Sequence, residues 1–337
     1  MNFNLLFCYS ISILIFYTLY KNTKLITKKF NLIDYPDKKR KLHNSKTPLF
    51  GGLLFFICLI YIIVIDKLFN INNNFIIKIF FIVLPIFIVG LLDDLYNLNP
   101  IIKTILLSFI IILFLLLNKE FLLKELYFDD YKKIYLLNNF SSLFITTLCL
   151  LLLINAFNMC DGINGLAYSL SILWLMILII LFDLNITFFF ITLILFLSLI
   201  FNYQGKYFLG NSGSLLISSF IGMLTIYLYN NNYKNLITVE KIILIFLIPG
   251  LDMLRLFILR ISNKKSPFAG DTNHFHHYLF KNFYLHKIII IYLSLILWPF
   301  IFMQFYKIKY SFIFLIQAII FFFLVSYFKN RKNFKVK

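Results

Sequence analysis

Charged residues are scarce in this sequence, and their scarcity excludes a water-soluble fold. Only 14% of the 337 residues are Asp, Glu, Lys or Arg, while 61% are hydrophobic and the mean hydropathy is +0.88. Soluble domains carry about 25% charged residues. Several apolar runs approach the roughly 20 residues that a helix needs to cross a bilayer. We therefore expect an all-α polytopic membrane protein.

Cysteine is also sparse. The four cysteines, Cys8, Cys58, Cys149 and Cys160, stand singly, and three of them lie inside apolar runs. Neither a disulfide framework nor a Cys-x-x-Cys metal site fits this spacing.

Eleven apolar segments are predicted to span the membrane, within a single integral membrane domain over residues 1–337. The segments are 2–20, 49–65, 75–92, 101–117, 138–154, 166–182, 187–201, 215–229, 241–257, 287–304 and 310–328. A basic flank follows the first segment and no cleavage site does, which predicts a retained helix with the N-terminus outside. Most of the 32 Lys and Arg residues then fall on the cytoplasmic side, together with the basic C-terminal tail at 329–337. We assign the net charge of +18 to topology and expect no nucleic-acid partner.

The polar motifs all fall on the predicted cytoplasmic face. They are the segments 32–52, 91–100, 155–167, 202–214 and 252–280. The loops on the other face hold only unpatterned Lys, Asn and acidic residues. We therefore expect one functional site, built from cytoplasmic loops.

Arginine is rare even among the basic residues. Only four of the 32 are arginine, and three of these, Arg40, Arg255 and Arg260, lie in the motif segments. The planar guanidinium binds phosphate in a bidentate manner that lysine cannot reproduce. The distribution indicates a ligand that carries phosphate.

Three carboxylates are the candidate catalytic and metal-binding groups. Asp93 and Asp94 end an apolar span whose one other charged residue is Lys78, as either a solvated helix end or a metal and phosphate site. Asp161 follows an asparagine-rich turn that is costly in a membrane unless it lines a wet cavity. Oxygen ligands of this kind suit Mg²⁺. The segment 210–214, GNSGS, begins the next span, so its amides predict a phosphate cradle, with an ordinary helix cap as the alternative.

Three histidines crowd into four residues of the last motif. Zinc would require about four Cys, His or carboxylate ligands, and no second ligand pair flanks His274, His276 and His277. In a helical loop His274 and His277 share a face and His276 points elsewhere. Because the loop is basic and follows Arg255 and Arg260, we interpret the histidines as donors to phosphate and sugar.

These motifs, taken in order, resemble the polyprenyl-phosphate N-acetylhexosamine-1-phosphate transferase family. The resemblance covers about residues 30–280 and includes a leading block with Asp34, Pro36, Arg40, Lys41 and His43. The spacing of the three histidines is similar to the branch that starts glycan chains with N-acetylglucosamine-1-phosphate on undecaprenyl phosphate. The branch that acts on muropeptides usually has a different triple-histidine pattern.

The resemblance implies a reaction and a set of site residues. A lipid phosphate would attack the β-phosphorus of a UDP-sugar, release UMP and leave a lipid-linked sugar pyrophosphate. Mg²⁺ is the implied cofactor, with Mn²⁺ as a substitute, and whether one Asp acts as a base stays open. The implied catalytic residues are Asp93, Asp94 and Asp161, and the implied metal ligands are these three with Asn211. The implied substrate-binding residues are Asn155, Asn158, Asn164, Phe208 (stacked on uracil), Arg255, Arg260, His274, His276, His277, Lys41 and His43.

Two positions depart from the family pattern. Asn211 and Asn164 stand where many relatives have Asp. An amide oxygen can coordinate Mg²⁺, but it lacks the full negative charge. The hypothesis is a working enzyme with weaker Mg²⁺ affinity or an altered sugar preference, and the alternative is an inactive copy.

The resemblance leaves the sugar and the final glycan open. N-acetylglucosamine is expected, with QuiNAc, FucNAc and MurNAc-pentapeptide as alternatives, and the product would initiate O-antigen, teichoic acid or a related polysaccharide. Expected partners are undecaprenyl phosphate, a UDP-sugar and the bilayer of a bacterial inner membrane, and a homodimer is left open. A transporter is the alternative of a different class. It would place polar residues near mid-membrane and often show internal repeats, whereas these motifs lie at one face and the two halves show no repeat.

Overall fold

A computed structural model describes residues 3–36, 45–71, 74–231, 237–267, 271–306 and 308–331. The predicted residues Lys41 and His43 lie outside these ranges. The described helices are α1 (Phe3–Lys21), α2 (Thr23–Lys29), α3 (Gly51–Leu68), α4 (Asn74–Tyr96), α5 (Pro100–Leu117), α6 (Asn139–Cys160), α7 (Leu166–Phe182), α8 (Ile186–Tyr203), α9 (Gly210–Asn230), α10 (Val239–Ser262), α11 (Phe275–Phe280), α12 (Leu285–Phe305) and α13 (Tyr310–Asn330). A 3₁₀ turn covers Lys119–Phe121.

Strands are limited to two short antiparallel hairpins in the described part of the chain. One pairs β1 (Ile33–Asp34) with β2 (Thr47–Pro48), and the other pairs β3 (Glu125–Phe128) with β4 (Lys133–Leu136). The protein is therefore an all-α polytopic membrane protein, as the sequence predicts. Ten of the described helices are long and apolar enough to cross a membrane, and α7, with 17 residues, is a shorter apolar helix.

Several helices extend beyond the predicted spans at the end of the bundle that carries the motifs. We call this the motif end; it contains the last turns of α4, α6 and α10 and the first turn of α9. The sequence predicts a turn from Asn155 onward, whereas α6 continues to Cys160. That prediction is wrong because the asparagines can stay helical when their side chains line a polar cleft.

Helix α9 is the centre of the bundle, and nearly all of its residues are buried. Glycines at the contact points allow the neighbouring helices α3 and α4 to approach α9 closely. A Cβ atom at Gly90 of α4 would collide with the backbone of Ser212, and one at Gly52 of α3 would collide with Gly213. The three helices are thus packed backbone to backbone at the motif end, which gives the site a rigid base.

The segment before α9 is joined to the start of α3. The carbonyl of Phe208 accepts from the backbone N–H groups of Phe50 and Gly51 at 3.2 and 3.0 Å, and the Phe208 N–H donates to Pro48 at 2.8 Å. These bonds fix the backbone of Phe208 at the motif end.

Helix α10 contains a proline that removes one bond of the helical ladder. Pro249 has no N–H for the carbonyl of Ile245, four residues earlier. The indole Nε1–H of the buried Trp174 on α7 donates to that carbonyl at 3.0 Å. This bond holds the half of α10 before Pro249 to α7, while Asp252, Arg255 and Arg260 lie on the half after the proline.

Candidate active site

A cleft of about 910 Å³ opens at the motif end. Helices α4, α6, α9 and α10, the histidine segment and the loop before β1 contribute its walls. Twelve of the residues predicted from the sequence line it: Asp93, Asp94, Asn155, Asn158, Asp161, Asn164, Phe208, Asn211, Arg260, His274, His276 and His277. The cleft is within the size range of sites for nucleotide-sized ligands.

Asp94 caps the N-terminus of α9 from α4. Its carboxylate accepts from the backbone N–H groups of Asn211 at 2.7 Å and Ser212 at 3.0 Å. Gly210 has φ +77°, and a Cβ atom there would lie 2.8 Å from the same carboxylate. The predicted phosphate cradle is wrong for these two amides, because a carboxylate of the chain already satisfies them.

Asp93 is held by a lysine that we did not include among the predicted site residues. Its Oδ1 accepts from the backbone N–H of Leu98 at 2.9 Å, and its Oδ2 pairs with Nζ of Lys103 at 2.9 Å. Both side chains are largely buried, with 12% of Lys103 and 8% of Asp93 exposed. The sequence feature that could have identified this lysine is that Lys103 is the only charged residue in the apolar sequence of α5.

Asp161 follows the last residue of α6 and differs from the other two carboxylates. No hydrogen bond or ion pair from any described residue reaches its side chain. Burial raises the pKa of Asp161 well above its usual range, and the charge of Asp94 raises it further. A carboxylate in this setting favours a bound cation, because a cation offsets both effects.

The asparagines have different roles in the structure. Asn158 accepts from the hydroxyl of Ser214 at 2.5 Å, and Asn155 donates to the carbonyl of Leu151 in its own helix. The side chains of Asn164 and Asn211 make no hydrogen bond to the described residues, so both are available to a ligand in the cleft.

Asn202 is a further residue absent from the predicted site. Its Oδ1 accepts from the N–H of Gly165 at 2.7 Å, and its Nδ2 donates to the carbonyl of Tyr207 at 2.9 Å. Gly165 has φ +84°, a conformation that favours glycine. Asn202 thereby connects the turn after Asp161 with the segment before α9.

Asp252 organises the histidine side of the cleft. Its Oδ1 accepts from Nη2 of Arg255 at 2.6 Å, and its Oδ2 lies 3.3 Å from Nδ1 of His274. Arg255 also donates to the carbonyl of Asn273 at 2.6 Å. Arg255 does not line the cleft, so the prediction that it binds phosphate needs correction. It instead binds Asp252 and the carbonyl of Asn273, and so positions the histidine segment.

Arg260 does line the cleft, but a carboxylate and a carbonyl hold part of its guanidinium. Nε donates to Asp271 at 2.8 Å and Nη1 donates to the carbonyl of Pro267 at 2.7 Å. Burial would raise the pKa of Asp271, but the bonds from Arg260 and from the N–H of Asn273 outweigh burial and keep that pKa below its usual value. The i, i+3 spacing of Asp252 and Arg255 was a sequence signal that Arg255 pairs with a carboxylate of the chain itself.

The three histidines form one cluster. His274 precedes α11 with extended backbone, and its ring stacks on that of His276 at 5.2 Å; the His276 and His277 rings are 4.3 Å apart. The prediction that His276 points away is wrong because the helix begins only after His274.

His276 is fully buried against the turn after Asp161. A Cβ atom at Gly162 would clash with its Nε2, and neither ring nitrogen has a partner among the described residues. Burial lowers the pKa of His276 well below its usual value, with further lowering by His277 and His274, and burial is also the main cause that lowers the pKa of His277 to about 4. Both shifts favour neutral rings near pH 7, so His276 and His277 present hydrogen-bonding groups rather than cations to the cleft.

Comparison with known proteins found a matching family and similar enzymes. The model of the family described as Glycosyl transferase family 4 matches residues 76–229. The chain is 26% identical over 254 residues to the undecaprenyl-phosphate alpha-N-acetylglucosaminyl 1-phosphate transferase of Thermotoga maritima, which covers 75% of this chain and 74% of that protein. It is 26% identical over 268 residues to the probable undecaprenyl-phosphate N-acetylglucosaminyl 1-phosphate transferase of Bacillus subtilis, with 76% and 72% covered. The matched family region contains Asp93, Asp94, Asp161 and Asn211 and ends before α10.

Proposed function

Because the chain belongs to glycosyl transferase family 4 and is a membrane-spanning phosphoglycosyl transferase, we propose that it transfers N-acetylglucosamine-1-phosphate from UDP-N-acetylglucosamine to undecaprenyl phosphate. The observation that carries the proposal is the convergence of Asp93, Asp94 and Asp161 with Arg260 in one cleft at an end of the transmembrane bundle. A site at that position can receive a lipid phosphate from the bilayer and a nucleotide from water.

The proposed reaction is a displacement at phosphorus. An oxygen of the lipid phosphate bonds to the β-phosphorus, and the bond from that phosphorus to the oxygen bridging to the α-phosphate breaks. The bridging oxygen leaves with UMP, and the sugar pyrophosphate stays on the lipid. A phosphate monoester has a second pKa of about 6 and is largely ionised near neutral pH, so the reaction depends more on charge neutralisation than on deprotonation of the nucleophile.

The residues present fit a divalent cation. Asp161 carries a carboxylate that no described residue neutralises, and the side-chain oxygen of Asn211 is unoccupied. The Asp94 oxygens accept from the amides of α9, but each has a second lone pair. We propose that Asp161, Asn211 and Asp94 hold Mg²⁺, with Asp93 beside them and Mn²⁺ as a substitute. The bound ion would offset the charge of the meeting phosphates and of departing UMP.

The remaining residues would orient the substrates. Lys103, paired with Asp93, supplies a fixed positive charge next to the carboxylates, where a lipid phosphate would otherwise be repelled. Arg260 is positioned by Asp271 and lines the same cleft, where it would bind the nucleotide phosphates. Phe208, whose backbone is fixed, offers a ring for uracil, and neutral His277 offers a hydrogen bond to the sugar.

We propose that the protein resides in a bacterial inner membrane with the motif end in the cytoplasm, where nucleotide sugars are available. Its product would initiate a cell-envelope glycan. Transfer from a panel of radiolabelled UDP-sugars to undecaprenyl phosphate by the purified protein tests the proposal. We expect labelled lipid and equimolar UMP with UDP-N-acetylglucosamine. Transfer only from UDP-QuiNAc, UDP-FucNAc or UDP-MurNAc-pentapeptide would contradict the sugar assignment, and no transfer from any donor would contradict the reaction.

A further inference from the structure

Asp252, His274 and His276 bring three metal-ligating atoms together on the histidine side of the cleft. One oxygen and two ring nitrogens lie within 4.8 Å of one another. All three side chains are buried, with 2%, 7% and 0% of the respective residues exposed. Such a set of nitrogen and oxygen ligands differs from the oxygen-only set around Asp161.

The ring of His276 is the second observation that points to a ligand. Both of its nitrogens are buried and have no hydrogen-bond partner among the described residues. A buried polar atom without a partner is costly. A metal ion bound to one nitrogen would satisfy it, and neutral imidazole is the form that binds metal.

The distances suit a small tetrahedral ion. Nδ1 of His274 lies 3.3 Å from Oδ2 of Asp252. Two ligands of a tetrahedral ion at bond lengths of about 2.0–2.1 Å are separated by about 3.3 Å. Arg255 binds Oδ1 of the same carboxylate, which orients the group and leaves Oδ2 directed to His274.

We propose that Asp252, His274 and His276 form a binding site for a borderline transition-metal ion such as Zn²⁺, distinct from the Mg²⁺ site at Asp161. His274 and His276 line the cleft, so water or a ligand in the cleft supplies the fourth position. The sequence alone did not favour zinc, because no second pair of ligands flanks the histidines. The structure supplies the missing ligand from α10, 22 residues before His274.

Cobalt titration of the metal-free full-length protein in detergent tests this proposal independently of transferase activity. We expect the visible absorption of tetrahedral Co²⁺ to saturate at about one equivalent. One equivalent of Zn²⁺ should abolish the bands, and a large excess of Mg²⁺ should not, because Mg²⁺ requires octahedral oxygen ligands.

Variants locate the site. His276→Ala and Asp252→Asn should lose the bands, whereas His286→Ala, which removes an exposed histidine outside the cluster, should keep them. Asp161→Asn should also keep them while losing transfer, which separates this site from the proposed reaction. Should His276→Ala fail to fold, His276→Cys provides the second variant: its thiolate should add a sulfur-to-cobalt charge-transfer band. Absence of tetrahedral bands in the unaltered protein, their retention in His276→Ala, or a His276→Cys spectrum without the new band would overturn the proposal.

Discussion

The pair of Lys103 and Asp93 gives the most quantitative prediction. The charged atoms are 2.9 Å apart, and both side chains are about nine-tenths buried. Two unit charges at this distance attract by about 6 kcal/mol at an effective dielectric constant of 20, before the cost of desolvation. Removing one member of a buried pair costs about 3–5 kcal/mol, because the other charge remains without a partner. We therefore expect Lys103→Met to destabilise the protein by about 3 kcal/mol and to abolish most transfer.

A double-mutant cycle in detergent measures this effect. Thermal unfolding of Lys103→Met should begin several degrees lower, and adding Asp93→Asn should recover most of that loss, because no unpaired charge then remains. Transfer should not recover, since the proposed site has lost both groups. Lys78→Met is the matched control. Its pair with Glu120 is also short at 2.7 Å but is 47% and 40% exposed, so less than about 1 kcal/mol is expected. Equal stability of Lys103→Met and Lys78→Met, or a double variant less stable than Lys103→Met alone, would refute the reasoning.

Three further predictions concern the metal, the histidine segment and pH. Asn211→Asp should lower the Mg²⁺ concentration for half-maximal transfer by about tenfold or shift the sugar preference, because it adds a charge at the proposed metal; unchanged Mg²⁺ dependence and sugar preference would contradict the assignment. Arg255→Lys should lower kcat/KM about tenfold, since Nε and Nη2 of the guanidinium both bind Asp252 while Nη2 also binds Asn273, and the single nitrogen of lysine cannot reproduce all three contacts. The same variant with unaltered kinetics would show that this support is dispensable. Burial that lowers the pKa of His277 to about 4 favours the neutral ring in the folded protein. Stability should therefore fall as pH drops from about 6.5 toward 4, where the unfolded chain binds the proton first, and His277→Gln should flatten that slope in thermal unfolding.

Hydropathy was sufficient to predict the spans and the membrane class, because apolar runs of this length have few alternatives to helices in lipid. The side chains that gather at the cleft were also foreseeable, since their motifs fall in loops on one predicted face. The details that failed depend on contacts between distant residues. The carboxylate of Asp94 accepts hydrogen bonds from the backbone amides of Asn211 and Ser212, more than a hundred positions away. No local sequence pattern indicates this contact.

The arginines show the same limit. Their scarcity pointed to the motif end, where Arg255 and Arg260 lie, but the inference from guanidinium to phosphate was incomplete. Arg255 and Arg260 both bind carboxylates of the chain itself, Asp252 and Asp271. The planar fork that suits phosphate also suits carboxylate, so residue type alone cannot separate an arginine that holds substrate from one that holds its neighbours.

Tracing the β-phosphate tests the central claim most directly. The purified protein is incubated with undecaprenyl phosphate and UDP-N-acetylglucosamine radiolabelled at the β-phosphate, and the lipid and aqueous products are separated. The account predicts that the label moves into the lipid with the sugar, that the aqueous product is unlabelled UMP, and that Asp161→Asn abolishes both. Label recovered as UDP in water, with unlabelled sugar on the lipid, would contradict phosphoglycosyl transfer, and full activity of Asp161→Asn would contradict the proposed site.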